Sequence, residues 1–390
     1  MRIPAAAAPN SFCVIRAAVI ETLERRRLLS VSLADGILRV RGGEGDDVIS
    51  VEANATGARL AVRDNAAIRR FNTADVRLIL IVGRGGHDTL SVLPGVTLPS
   101  EVYGEAGNDR LNGGGGRDAL FGGDDNDRLY GGVGNDTLSG GNGRDVLKGQ
   151  GGRDRMLGDT GDDDLFGSAG HDTAIGGSGD DSVVGDSGVD LLLGLENNDR
   201  LVGGADGDYL DGGVGEDDLD GGDGINTLWG GDDDDDLRGG DDVDEIHGEG
   251  GRDLIFGNAA DDLLDGGDDS DTLFGDEGHD TLRGGNGSDT LWGDDGDDDL
   301  EGNNDNDSLR GGDGEDLLDG GYDNDTLLGD NDRDSMFGGS GRDVLDSVDD
   351  EFDRVNGDGG DDTLYVDYNE DDFVGGSGKD RFFDEFDVPF

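Results

Sequence analysis

From Gly104 to Asp346 the apolar positions keep a fixed beat. An aliphatic side chain recurs every ninth residue, as at Leu111, Leu120, Leu129 and Leu138, with an aspartate two places before it and a glycine two places after it. The register holds for 243 residues, which is 27 units of nine with no insertion or deletion. Counted from the glycine, position 1 is Gly in all 27 units and position 6 is Asp in 26, Asn226 being the exception. Position 8 is Leu in 21 units and Met156, Ala174, Val183, Ile246, Ile255 or Met336 in the others. A repeat this strict decides the fold before any other property does. Glycines at positions 1, 2 and 4 admit positive φ and close backbone approach, so positions 1 to 6 are predicted to form a tight loop. Positions 7 to 9 are then a short strand whose side chains alternate, with position 8 inward and 7 and 9 outward. The contents of position 9, which include Arg238, His247, Phe256, Asp265 and Glu301, suit an outward place. One unit supplies a loop and a strand, and two units return the chain above its start. The expected fold is all-β, a flattened parallel solenoid of about 13.5 turns and ~65 Å at the usual strand spacing.

The beat changes at both ends. Residues 37–103 hold two isolated units, "GGEGDDVIS" (42–50) and "GRGGHDTLS" (83–91), and the strand-like runs "ARLAVRD" and "VRLILIV". They are expected to form an N-terminal β cap continuous with the solenoid. In residues 347–390 a one-residue slip at Ser347 precedes weaker units at 348–356, 357–365, 366–374 and 375–383. Aromatic residues gather there (Tyr365, Tyr368, Phe373, Phe382, Phe383, Phe386 and Phe390) and are expected to cap the open end of the solenoid, covering its strand edges and leucine core. Residues 1–36 follow neither pattern and are expected to be a targeting or flexible segment.

Charge sharpens this division. The 390 residues carry 94 acids and 30 bases, a formal net charge of −64. Residues 1–103 are close to neutral at +2, so residues 104–390 hold −66. High charge with 32% hydrophobic residues ordinarily signals disorder, but disorder does not keep leucine and aspartate in phase over 27 units. Such acidity excludes nucleic acid as a partner and favours cations. A single cysteine, Cys13, excludes an internal disulfide framework, and no apolar run reaches the length of a membrane span. The four-residue run "RRRL" is too short for a nucleic-acid patch.

One buried leucine per nine residues cannot offset the entropy of fixing nine backbones, two or three of them glycine, while stacked aspartates repel one another. Something cationic and oxygen-seeking must complete the fold. Stacking sets the position 6 residue of each unit over that of the second unit on, in two columns of carboxylates and glycine-freed carbonyls that suit Ca²⁺. Zinc would want His or Cys. His87, His171 and His279 sit at position 5 and His247 at position 9, where all four are read as solvent-facing substitutions. The 27 units form 25 such pairs, so up to about 25 Ca²⁺ are expected, bringing roughly +50 against −64.

The pattern G-G-x-G-x-D-x-L-x, complete in "GGVGNDTLS" (131–139) and "GGNGSDTLW" (284–292), resembles the hemolysin-type calcium-binding repeat of the RTX proteins. The resemblance implies a parallel β-roll with calcium between the loops of adjacent turns, bound by position 6 side chains and loop carbonyls. Carried onto this sequence, one column of ligands is Asp109, Asp127, Asp145, Asp163, Asp181, Asp199, Asp217, Asp235, Asp253, Asp271, Asp289, Asp307, Asp325 and Asp343. The other is Asp118, Asp136, Asp154, Asp172, Asp190, Asp208, Asn226, Asp244, Asp262, Asp280, Asp298, Asp316 and Asp334. Asn226 brings an amide oxygen without charge, so its turn is expected to be the soft point of the roll. Eight units depart from the family by placing Asp at position 4 (Asp125, Asp206, Asp233, Asp242, Asp269, Asp305, Asp323 and Asp332), a residue that tolerates left-handed backbone.

The resemblance also bears on export and activity. "DEFDVPF" (384–390) resembles the uncleaved C-terminal signal of type I secreted RTX proteins, and "LERRRLLS" (23–30) resembles the LEPR-XLL motif of exported planctomycete proteins with Arg25 in place of its Pro. Both imply an extracellular or cell-surface location, and the first implies the type I secretion machinery as a partner. RTX proteases carry H-E-x-x-H, RTX lipases carry G-x-S-x-G and pore-forming toxins a long apolar domain with acylated lysines. This chain has neither motif, and only Lys148 and Lys379. The expectation is a non-catalytic calcium-binding roll with a structural or adhesive role. The alternative is an RTX toxin or enzyme whose effector domain is supplied by a partner.

Overall fold

The computed structural model describes residues 30–64, 67–349, 351–367 and 371–383. "LERRRLLS" up to Leu29, "DEFDVPF", and the aromatic residues Tyr368, Phe386 and Phe390 lie outside them. Apart from one 3-10 turn at Thr73–Asp75, the regular structure described is β. No helix among the described residues is long and apolar enough to cross a membrane. The chain forms two compact units that divide between Val146 and Leu147.

The second unit is a parallel β-solenoid. Each strand pairs with the strand eighteen residues on, as in Thr272↔Thr290, Leu273↔Leu291 and Phe274↔Trp292. One sheet contains Thr173–Ser178, Leu191–Glu196 and Tyr209–Val214, and the other contains Ser182–Ser187 and Arg200–Ala205. The position 8 residues alternate between the two sheets, and each from Met156 to Leu345 is fully buried. After the slip at Ser347 the pairing interval lengthens to nineteen, as in Ser335↔Arg354, and then returns to eighteen at Arg354↔Asp372.

Two local expectations are revised. Strands such as Thr290–Asp295 run for six residues, from position 7 through position 3 of the next unit, so the loop proper is positions 4 to 6. Pairing continues because position 2 bends in the left-handed region, at φ 111° for Gly285 and 72° for Asp294, without losing its ladder partners. Position 4 is left-handed too, and seven of the eight position 4 aspartates adopt φ between 71° and 84°, Asp242 being the exception. Position 1 is not left-handed; its glycine serves close approach.

In the first unit the same parallel pairing joins Glu101↔Ala119 and Arg110↔Arg128. Upstream, Leu78–Gly85 pairs in parallel with both Ile37–Arg41 and Ser100–Ala106, and Thr89–Val92 with both Val48–Ala53 and Arg110–Gly114. Antiparallel hairpins lie at the outer side: Ser30–Ala34 on Ile37–Arg41, and Val48–Ala53, Arg59–Arg63 and Ile68–Asn72 in series. Among the described residues β structure is present from the first, Ser30, because "SVSLA" already alternates and pairs Leu33 with Leu38.

Outward position 9 side chains stack where aromatic residues follow one another at eighteen-residue intervals. Phe256, Phe274 and Trp292 form a ladder with centroids 5.0 and 4.4 Å apart, and Tyr365 stacks on Phe383 at 5.2 Å.

Candidate metal centre

Strict spacing gives the position 6 side chains recurring surroundings, shown here at Asp289. Its backbone N–H donates to Oδ1 of Asp307 at 2.9 Å, and its own Oδ1 accepts the N–H of Asp271 at 2.9 Å. Each carboxylate therefore spends one oxygen tying the preceding turn to its own. The ladder passes through both columns: Asp172 to Asp190 in one, for example, and Asp181 to Asp199 in the other. Asp109, Asp118 and Asp127 belong to it in the first unit, through Asp109→Asp127, Asp118→Asp136 and Asp127→Asp145.

The second oxygen is the chemically demanding one. At every position 6 aspartate from Asp172 to Asp343, Oδ2 is buried without a hydrogen-bond partner, and these residues are at most 4% exposed. A buried anionic oxygen without a counter-charge is strongly unfavourable, so it must take up either a cation or a proton. Burial accordingly pushes these carboxyls up, opposed by the backbone N–H each accepts and reinforced by neighbouring carboxylates. Asp199, Asp235 and Asp271 rise to about 8, and Asp307 and Asp316 to about 7. Asp253 and Asp289 rise to about 6, with burial again the leading cause.

Asn226 shows what Oδ2 faces. Its Oδ1 takes the usual ladder place, accepting the N–H of Asp208 at 2.9 Å, and its own N–H donates to Asp244 at 2.7 Å. Its Nδ2 lies against Gly221 where other units place Oδ2, and donates to the carbonyls of Gly224 at 2.9 Å and Gly222 at 3.4 Å. The opposite amide orientation would set two donors face to face at Asp208. At Asn226 the pocket is therefore lined by carbonyl oxygens of positions 2 and 4, and beside Gly266 the carbonyl of Gly284 lies near the same place as Oδ2 of Asp271. Carboxylate and carbonyl oxygens are a hard-cation donor set. No group of three His, Cys, Asp or Glu side chains converges among the described residues; the donor set is one carboxylate per loop completed by backbone.

The invariant glycine of position 1 keeps this pocket open. A Cβ on Gly266 would collide with Oδ2 of Asp271 and with the carbonyl of Gly284. Gly266→Ala is expected to destabilise its turn by about 1–3 kcal/mol, the usual cost of overpacking, and to raise the calcium needed to fold it. A thermal or calcium-titration midpoint equal to that of the unaltered chain would contradict this.

Asp289→Ala removes one Oδ2 and also strands the N–H of Asp271, an additional cost of about 1–3 kcal/mol. Because a solenoid turn touches only its neighbours, hydrogen exchange should quicken near residues 271–307 alone. Exchange that quickens throughout the second unit would contradict a nearest-neighbour structure.

Several features escaped the sequence reading. The ladder extends beyond the 27 units: Asp47→Asp88, Asp88→Asp109, Asp334→Asp353 and Asp343→Asp362. Asp88, Asp353 and Asp362 each hold an unpartnered buried Oδ2; the G-x-x-x-x-D phrasing of Asp88 and Asp362 is the signal that could have included them, whereas Val348 stands in the glycine's place before Asp353. Position 5 carries a second ladder of opposite sense, in which a side chain accepts the N–H of the following turn, as in Asp234 from Arg252 and Asp297 from Glu315. His87, His171 and His279 are exposed, yet each Nδ1 accepts such an N–H at 2.8 Å. His247 is half-buried and stacks on Trp229 at 4.1 Å.

No curated protein matches the chain. The family model described as RTX calcium-binding nonapeptide repeat matches ten segments, from 103–138 to 348–382, which together take in more than half of the 390 residues. The repeat, the roll and the oxygen-lined pockets agree with that match, and the chain belongs to the RTX calcium-binding nonapeptide repeat family.

Proposed function

We propose that this calcium-binding roll is an extracellular structural or adhesive scaffold whose position 6 aspartates, Asp109 to Asp343, hold the ions through Oδ2 together with loop carbonyls. The observation that carries this is the run of buried, unpartnered Oδ2 atoms from Asp172 to Asp343, in the place where the Asn226 amide meets two loop carbonyls. Bound calcium supplies the counter-charge these oxygens lack. One ion for each pair of successive loops amounts to up to about 25 over about 13.5 turns. The antiparallel hairpins of residues 30–72 close the N-terminal end, and the aromatic residues Phe373, Phe382 and Phe383 cover the other; Phe373 lies 5.4 Å from Phe382.

Calcium near 0.1–1 mM, the range of extracellular modules, fits a chain that leaves the cell unfolded through the type I secretion machinery and folds outside. The acids serve as ligands rather than as catalysts, so no hydrolytic or transferase activity is expected from the chain by itself. Equilibrium dialysis against calcium should return on the order of 25 ions per chain, with magnesium a poor competitor because it resists full dehydration. Binding of only a few ions, or equal occupancy by magnesium, would contradict the reading. Turnover of protease, lipase or glycosidase substrates, abolished by changing one residue outside the repeat, would overturn the non-catalytic part.

A further inference from the structure

We infer that the Asn226 turn is closed without calcium: the side-chain amide takes the place of an ion, leaving a metal-independent staple inside the second unit. This rests on the calcium reading above and replaces the expectation that Asn226 is a weak ligand and the soft point of the roll. Its Oδ1 is already committed to the Asp208 N–H, and its Nδ2 donates to the Gly224 and Gly222 carbonyls, which elsewhere need a cation. Asn226 is fully buried, and the ladder runs through it unbroken, from Asp208 to Asn226 and from Asn226 to Asp244. The turns on either side keep the cation-demanding arrangement, with Oδ2 of Asp208 and of Asp244 both unpartnered.

Position 5 is Gly207, Ile225 and Val243 in three successive turns of this column, with no ionisable group, whereas the next two turns carry Asp261 and His279. Asp242 adds a further tie by accepting the Gly224 N–H at 2.9 Å. With calcium absent or scarce, the Asn226 turn is therefore already completed by its own side chain. In a nearest-neighbour solenoid such a turn is where folding starts, and calcium then extends the roll in both directions.

The test pairs native mass spectrometry at saturating calcium with hydrogen exchange below the calcium midpoint, on the full chain and on Asn226→Asp and Asn226→Ala. In the unaltered chain, residues 221–246 should exchange about tenfold more slowly than the flanking turns at sub-midpoint calcium. Asn226→Asp should bind at least one more calcium and lose that early protection while matching the other turns at saturation. Asn226→Ala should bind no additional ion and lose protection at both calcium levels, because both the ladder acceptor and the carbonyl donor are gone. Equal calcium counts for the unaltered chain and Asn226→Asp, with no early protection at 221–246, would overturn the staple while leaving calcium binding intact. A chain that binds no calcium at all would overturn both.

Discussion

In excess chelator at neutral pH the chain is expected to be expanded and poor in β structure, and to compact with a large gain of β signal as calcium reaches roughly 0.1–1 mM. The reason lies in the buried Oδ2 atoms. Folding without calcium sets nineteen of them, from Asp172 to Asp343, in partnerless sites at the same time. The core of one aliphatic side chain per nine residues is too thin to compensate. Circular dichroism and small-angle scattering followed through the same titration check this, and a compact, β-rich chain in excess chelator would contradict it.

Acid should partly replace calcium. Burial is the leading cause that raises position 6 carboxyls of the metal-free roll from an ordinary value of 3.8, to about 6 at Asp253 and about 8 at Asp262. The folded state then binds protons that the unfolded chain releases. Stability from these groups is fully present below about pH 4 and is lost as pH rises through 6 to 8. Acidifying a chelated sample from pH 8 to pH 5 is therefore expected to increase β structure. In the presence of calcium, the same protons compete for Oδ2, and the calcium midpoint should rise as pH falls. A chelated chain more structured at pH 8 than at pH 5, or a calcium midpoint indifferent to pH, would contradict this linkage.

The architecture was legible in the sequence because one physical constraint recurs 27 times: a side chain that must point inward, at position 8, lies two residues after one that must stand at the corner, at position 6. Strand length was not legible, because glycine and aspartate at positions 1 to 3 read as loop by composition. The structure shows them in strand, since left-handed residues such as Gly285 and Asp294 bend the chain without breaking its pairing. The position 5 ladder was hidden because histidine, asparagine and aspartate share an acceptor there while differing in every property that composition records. The division of labour between Oδ1 and Oδ2 is a matter of orientation, and no spacing rule encodes it. Asn226 was visible as an exception, but its meaning depended on which atom of the amide faced the loop.

The most direct test of the account is diffraction from calcium-grown crystals, with anomalous data collected to locate the ions. Two rows of calcium peaks are expected, one along each loop edge, each peak between successive loops, in contact with a position 6 Oδ2 such as that of Asp271 or Asp289 and with loop carbonyls. Rows that are absent, or peaks found only at position 5 carboxylates such as Asp234 and the exposed Asp297, would contradict it.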